Sequence, residues 1–252
     1  MIFKRAVAKL RAQDGAAIAI EFAIVVAGVF VGTWVANWNQ QRIEVAQTRH
    51  MLRNMKEELG PSMQVVKDFQ HYYATTRRYA VTAFAGWRGD PAVSDRAFVV
   101  AAYQASQIRL LAVNVQSWSQ SLGVDRVPTI EDKALRQVVS ALMSIDYTGL
   151  NQELLTEYRR GIREEMPEDV QEAIRRDCGD RLTADGHVVL PERCDLKLPD
   201  DRITADARAL RADPELVKKL RWHQSATTNF MANIGWILVI EREAYARIGA
   251  TT

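Results

Sequence analysis

The chain has 252 residues, 48% of them hydrophobic and 25% charged, with 33 Lys/Arg against 31 Asp/Glu. Those fractions are ordinary for a folded protein, and the length allows one large domain or two small ones. A net charge of +2 with no block of basic residues is too balanced to suggest a nucleic-acid partner, and none is expected.

Residues 1–15, "MIFKRAVAKLRAQDG", form a basic tail carrying Lys4, Arg5, Lys9 and Arg11. Two readings stand for it. One is an amphipathic helix on a membrane surface, with Ile2, Phe3, Ala6 and Leu10 toward lipid; the other is a frayed terminus.

Residues 16–38 hold one ionisable side chain, Glu21. At about 34 Å of helix, the segment is long enough to cross the hydrocarbon core of a bilayer. A signal peptide is the rival reading, but its apolar region should be about 7–15 residues long and end at a small-residue cleavage site. This segment is longer and ends in Trp34, Asn37, Trp38 and Asn39, the composition of an interfacial belt. It therefore reads as a retained transmembrane helix. Lys/Arg residues precede and follow it in balance, so charge alone does not orient it. A short basic tail with a long translocated domain is the commoner arrangement, which puts the N-terminus in the cytoplasm.

On this helix Glu21, Val25, Gly28, Gly32 and Ala36 fall on one stripe at about 100° per residue. Gly28 and Gly32 form a small-x-x-x-small pair that lets two backbones approach. An ionisable residue within a span faces protein or water. The stripe is thus expected to face another helix, from a second copy or a different subunit. The alternative is a lone helix whose Glu21 is wetted at the interface.

Beyond the span, Trp38, Val45, Leu52 and Leu59 recur every seven residues. This predicts that the helix continues out of the membrane to about residue 58 and stops at "GPS", residues 60–62. Further helices are expected over residues 64–84, from a Ser94 or Asp95 cap to about residue 111, from a Thr129/Asp132 capping box through "IEDKALRQVVSALMSIDYTGL", over 152–163, and from Pro167 to about residue 176. Two last helices cover "DDRITADARALRAD" and the segment from Pro214 onward. The apolar run at 230–240 is too short to cross a bilayer and reads as a buried core helix packed on residues 38–58.

Cys178 and Cys194 are the two cysteines of the chain. They bracket a polar insertion, residues 178–194, whose Asp185-Gly186 turn signal predicts a β-hairpin. Cysteines at the open end of a hairpin can reach bonding distance. A disulfide there implies an oxidising compartment and hence an extracytoplasmic domain; two free thiols would place it in the cytoplasm. The expected architecture is all-α: a cytoplasmic tail (1–15), a transmembrane helix (16–38) and an extracytoplasmic helical bundle (39–252) with a disulfide-closed hairpin.

A search for chemistry returns little. His50, His71, His187 and His223 lack metal-site spacing, and the acidic pairs Glu57-Glu58, Glu164-Glu165 and Asp200-Asp201 read as solvated faces. "SWSQSLG" holds serines without an evident base, and no phosphate loop, dinucleotide fingerprint or nucleophile elbow is present. No catalytic, cofactor-binding or metal-ligating residue is expected, and no cofactor. The leading expectation is a non-enzymatic structural, accessory or interaction subunit. Its partners are the lipid bilayer and a homo-oligomer or larger membrane complex. The alternatives are an ion-coupled, stator-like subunit that uses Glu21 and a ligand sensor that signals through a partner.

Glu21, "IVVAGVFVG" and "WNQ" together resemble the N-terminus of an uncharacterised family of bacterial single-pass membrane proteins, which reads E-x-x-L-V-V-x-G-V-L-I-A-L-x(4)-W-N-E. "WSQSLGVDRVPTIEDKALRQVVSAL" is similar, more loosely, to a later segment of that family. Gly32 and Thr33 stand where the family has Ala-Leu, and Gln40 where it has Glu; the cysteine hairpin is not a family feature. The resemblance covers roughly the first 145 residues. It implies one span followed by a helical extracytoplasmic domain, and it carries no known activity, so it leaves function open.

Overall fold

The computed structural model describes residues 15–111 and 127–251. The basic tail and the "SWSQSLG" serines lie outside the described residues. The fold is all-α, with one two-stranded hairpin among the described residues. A single helix, α1 (Gly15–Trp87), carries both the apolar segment and the backbone of the domain.

The break expected at 60–62 does not occur. Pro61 sits inside α1, where it has no N–H to return to the carbonyl four residues back. Such a proline costs about 3 kcal/mol in a helix interior. The flanking turns outweigh that cost because Met55, Leu59, Val66 and Phe69 are all fully buried on one face of α1. Burying a large apolar side chain contributes about 1.5–3 kcal/mol, so four of them hold both halves of the helix in line.

The partner along the buried part of α1, from Met51 to Ala83, is the last helix, α8 (Pro214–Thr251), which runs antiparallel to it. Ala244 and Ile248 pack with Met51, Leu52, Met55 and Leu59 at the end nearer the apolar segment. Phe230, Ile234, Ile237 and Leu238 pack with Val66, Phe69, Tyr72 and Tyr73 in the middle. Leu216 and Leu220 join Ala80 and Ala83 at the far end. The apolar run 230–240 is therefore a core helix as expected, but it lies mainly on the 66–73 part of α1, and only Ile240 reaches the cluster of Met51, Leu52 and Met55.

The remaining helices wrap this pair. α2 (Asp95–Gln104) starts at Ser94, whose side chain accepts from the Ala97 N–H. It stops at Gln104, short of the expected residue 111, because side chains take over its backbone bonding. The Tyr73 hydroxyl donates to the Arg109 carbonyl at 2.7 Å and accepts from its N–H. Asn151 makes the equivalent pair with Leu111. The backbone groups of Arg109 and Leu111 are thus satisfied outside a helix, which lowers the cost of ending α2 early.

A 3-10 turn (Val127–Thr129) leads into α3 (Lys133–Met143). The cap of α3 is Asp132, which accepts from the N–H groups of Ala134 and Leu135, rather than Thr129. The Thr129 hydroxyl instead meets Thr48 on α1 at 2.8 Å. The helix expected to run through residue 150 is two, α3 and α4 (Tyr147–Glu153), with Asp146 capping the second, and the helix expected over 152–163 starts later, as α5 (Glu157–Glu165). α4 and α5 separate where Leu154 turns fully into the core and Thr156 bonds His223.

α6 (Glu168–Cys178) follows Pro167, then the antiparallel strands β1 (Arg181–Leu182) and β2 (Val188–Val189), and α7 (Asp200–Ala212). The hairpin pairs Arg181 with Val189 and Leu182 with Val188. Gly186 turns it with φ +85°, a conformation that suits glycine.

Candidate functional site

The apolar part of α1 stands clear of the rest of the described chain. Its most hydrophobic window has a mean hydropathy of 2.2, and none of it is buried. That separates it from an apolar core helix, which would be covered by its own chain. In length and composition it suits the span of a single-pass membrane protein, near the N-terminus as expected.

Along this helix Glu21, Val25, Gly28, Gly32 and Ala36 are all exposed. The helix runs unbroken from residue 15, so the periodicity that aligns them on one stripe holds. Nothing in the described chain lies within 4 Å of where a Cβ on Gly28 or Gly32 would sit. The bundle therefore brings no residue to the stripe, and the two glycines expose bare backbone on an otherwise bulky helix. Trp34 and Trp38 are exposed as well, and the Arg42 guanidinium sits 5.0 Å from the Trp38 ring centroid. A Trp with a cation one turn beyond it is the composition of a helix leaving the apolar layer of a bilayer.

Domain packing begins only at Thr48, with Met51 and Leu52 next. Of the expected heptad, Leu52 and Leu59 are buried, Val45 is half-buried and Trp38 is exposed. A bare stretch of helix thus separates the belt from the bundle.

Cys178 and Cys194 form a disulfide, with Cα atoms 5.1 Å apart. It closes the hairpin insertion and presents it to α1. The Tyr72 hydroxyl donates to Asp180 at 3.1 Å, the Tyr79 hydroxyl to the Pro191 carbonyl at 2.6 Å, and Arg78 pairs with Glu192 at 2.6 Å. His187 at the turn bonds Asp68 and also faces Asp185 at 3.4 Å. The insertion is therefore a brace clamped along α1 from residue 68 to residue 79, a docking that periodicity could not reveal.

The other candidates for chemistry remain separate. Among the described residues no cluster of three His, Cys, Asp or Glu side chains could hold a metal ion. His223 is buried against Thr156, and burial pushes its imidazole down to about 4. Glu164 pairs with Arg160 and Asp200 with Arg96 in exposed ion pairs, so these members of the acidic doublets are surface groups.

Two features escaped sequence reasoning. One is a buried carboxyl, Glu241, inside the α1–α8 interface. The other is a group of arginines around the end of α2. Both come from residues far apart in the chain, and no local spacing signals them. Comparisons of the chain with protein-family models, with curated proteins and with solved structures find no match.

Proposed function

We propose that the chain is a non-enzymatic single-pass protein of a bacterial inner membrane, with its N-terminus in the cytoplasm and its helical bundle in the periplasm. It serves as a structural or accessory subunit, and its primary partner is a second copy of itself. The observation that carries this reading is the Glu21/Val25/Gly28/Gly32/Ala36 stripe, left uncovered by its own chain on a helix of membrane length. In lipid, helices associate where small residues let backbones approach, and a carboxyl at such a seam gains a neighbour instead of hydrocarbon. The disulfide supports the periplasmic side, since such bonds persist in oxidising compartments. The N-terminal resemblance to bacterial single-pass proteins supports the same placement.

The test is oxidative crosslinking in membranes with single cysteines introduced at Gly28 or Gly32, against controls at Phe30 and Val31. Crosslinked dimers at 28 and 32 alone support the reading. Equal crosslinking at all four positions, or none with a monomer on native gels, defeats it. Crosslinking to a different protein replaces the second copy with another subunit. A Glu21→Gln variant then separates the roles of the carboxyl: retained association with normal growth assigns it to register rather than to proton transfer.

A further inference from the structure

Seven arginines of the described bundle, Arg78, Arg96, Arg160, Arg176, Arg202, Arg211 and Arg247, each have a carboxylate within 4.0 Å. Arg159, Arg163 and Arg175 have none among the described residues, yet these three converge. They come from α5 and α6 and meet at the C-terminal end of α2.

Arg159 Nη1 donates to the Gln107 side-chain oxygen at 3.2 Å and Arg163 Nη2 to the same oxygen at 3.4 Å. Arg163 also stacks over the Tyr103 ring, 4.9 Å from its centroid, and Arg175 donates to the Tyr103 hydroxyl at 3.4 Å. Two guanidiniums thus share one neutral oxygen, and a third lies one aromatic ring away. Arg159 and Arg163 are half-buried and Arg175 is exposed, so the group has a partly dry floor and an open rim. The charge of Asp180 reaches Arg159, but its carboxylate takes the Tyr72 hydroxyl.

Packing explains part of this arrangement. Arg159 also donates to the Ser106 carbonyl at 3.0 Å, and Arg163 donates to the Ser106 hydroxyl at 2.8 Å, which ties α5 to the end of α2. Packing does not explain why three cations gather with no carboxylate of the described residues within 4.0 Å of them, when like charges in a partly dry site repel each other. A guanidinium is a planar fork suited to two oxygens at once. Three forks from two helices suit a tetrahedral oxyanion better than a carboxylate, which offers two oxygens.

We propose that Arg159, Arg163 and Arg175 form a binding site for a phosphate-class oxyanion, dissolved phosphate or the phosphate group of a lipid, with Gln107 holding the first two guanidiniums in place. The site lies beside the Tyr72–Tyr73 turn of α1, about 50 Å of helix beyond Trp38. That distance favours a dissolved phosphate over a headgroup of the anchoring bilayer. The proposal is independent of the self-association reading.

The experiment uses the full chain in nanodiscs with inorganic phosphate as the probe, against chloride at matched ionic strength. Phosphate should bind saturably and raise the unfolding temperature beyond the chloride control. Arg175→Gln removes one weak hydrogen bond and no core contact, so it should fold normally and weaken phosphate affinity about tenfold, as expected for one charge-assisted contact. Arg163→Gln should weaken it further. Stabilisation equal to that by chloride, or unchanged phosphate affinity in Arg175→Gln, overturns the proposal and leaves the arginines as a helix clamp. Discs of phosphatidylcholine and phosphatidylglycerol separate the sources. Equal phosphate affinity in both supports a soluble ligand, whereas competition by phosphatidylglycerol supports a lipid phosphate at the same arginines.

Discussion

Ser62 on α1 donates its hydroxyl to the Glu241 carboxylate of α8 at 2.5 Å, one residue after the proline that fails to break the helix. Glu241 is 2% exposed, and its second oxygen has no hydrogen-bond partner among the described residues; the same is true of the Tyr147 hydroxyl, which feels the Glu241 charge. Burial raises the pKa of this carboxyl, and the Ser62 hydrogen bond only partly offsets that.

A carboxyl whose folded pKa is raised favours the fold while it is protonated. Its contribution is lost as pH rises from the ordinary glutamate value through the raised one, and is flat beyond. Glu241→Gln keeps an acceptor for Ser62 and removes the charge. It should raise stability at pH 8 by about 1 kcal/mol and leave it nearly unchanged at pH 4. Urea unfolding at the two pH values measures this. A loss of stability at pH 8 would mean that the ionised form is compensated in a way the contacts do not show.

His223 has the opposite sign. Burial pushes its pKa down from 6.5 to about 4, and the nearby Arg159 and Arg163 charges add to the effect while a bond to the Ala105 backbone opposes it. The folded chain therefore holds this imidazole neutral where the unfolded chain protonates it. Stability is complete above pH 6.5 and is lost as pH falls toward 4, by on the order of 3 kcal/mol at most. His223→Gln should flatten that part of the stability–pH curve. An unchanged slope between pH 6.5 and 4 would assign the acid sensitivity to other groups.

The disulfide closes a separation of 16 residues. Replacing both cysteines by serine should cost about 3 kcal/mol by the chain-entropy estimate. Loss of amide-exchange protection should concentrate at 179–193, because the insertion contributes one residue, Leu190, to the core cluster that α1 and α8 share. If protection is lost equally in α8, the brace is part of the global folding unit.

Gly60 lies inside α1, and a Cβ there would meet nothing within 4 Å among the described residues. Its backbone is helical but it precedes Pro61, whose Cδ crowds the Cβ of a helical residue before it. In Gly60→Ala that clash should cancel the roughly 0.5–1 kcal/mol that alanine usually gains over glycine in a helix. No upward thermal shift is expected; a rise of a few degrees would show that the helix relieves the clash by bending at the Gly-Pro pair. Gly86 is the contrast: a Cβ there would run into the Phe98 ring, so Gly86→Ala should lower the unfolding temperature.

The helical class, the apolar segment with its glycine stripe and the hairpin between two cysteines were legible in the sequence because each rests on local periodicity or spacing. Residues 16–38 need only their own hydropathy, and the 178–194 insertion needs only its turn signal and its cysteines. The boundaries were less legible. Pro61 is a breaker by its own chemistry, and only the burial of Leu59 and Val66 against partners from other helices overrides it. Leu154 and Thr156 carry no breaking signal, yet they part α4 from α5 because of where the core and His223 lie.

Tertiary structure alone decided the rest. The brace contacts Tyr72–Asp180 and Arg78–Glu192 join residues more than 100 apart in the chain. The buried Ser62–Glu241 pair spans 179. Arg159, Arg163 and Arg175 meet around Tyr103 and Gln107 only because α5 and α6 close over the end of α2. Helical periodicity is a property of neighbours in the chain and can be read from them. Burial, charge pairing and the placing of three cations in one corner depend on which helices pack together, and that is settled by the competition among apolar faces over the whole bundle.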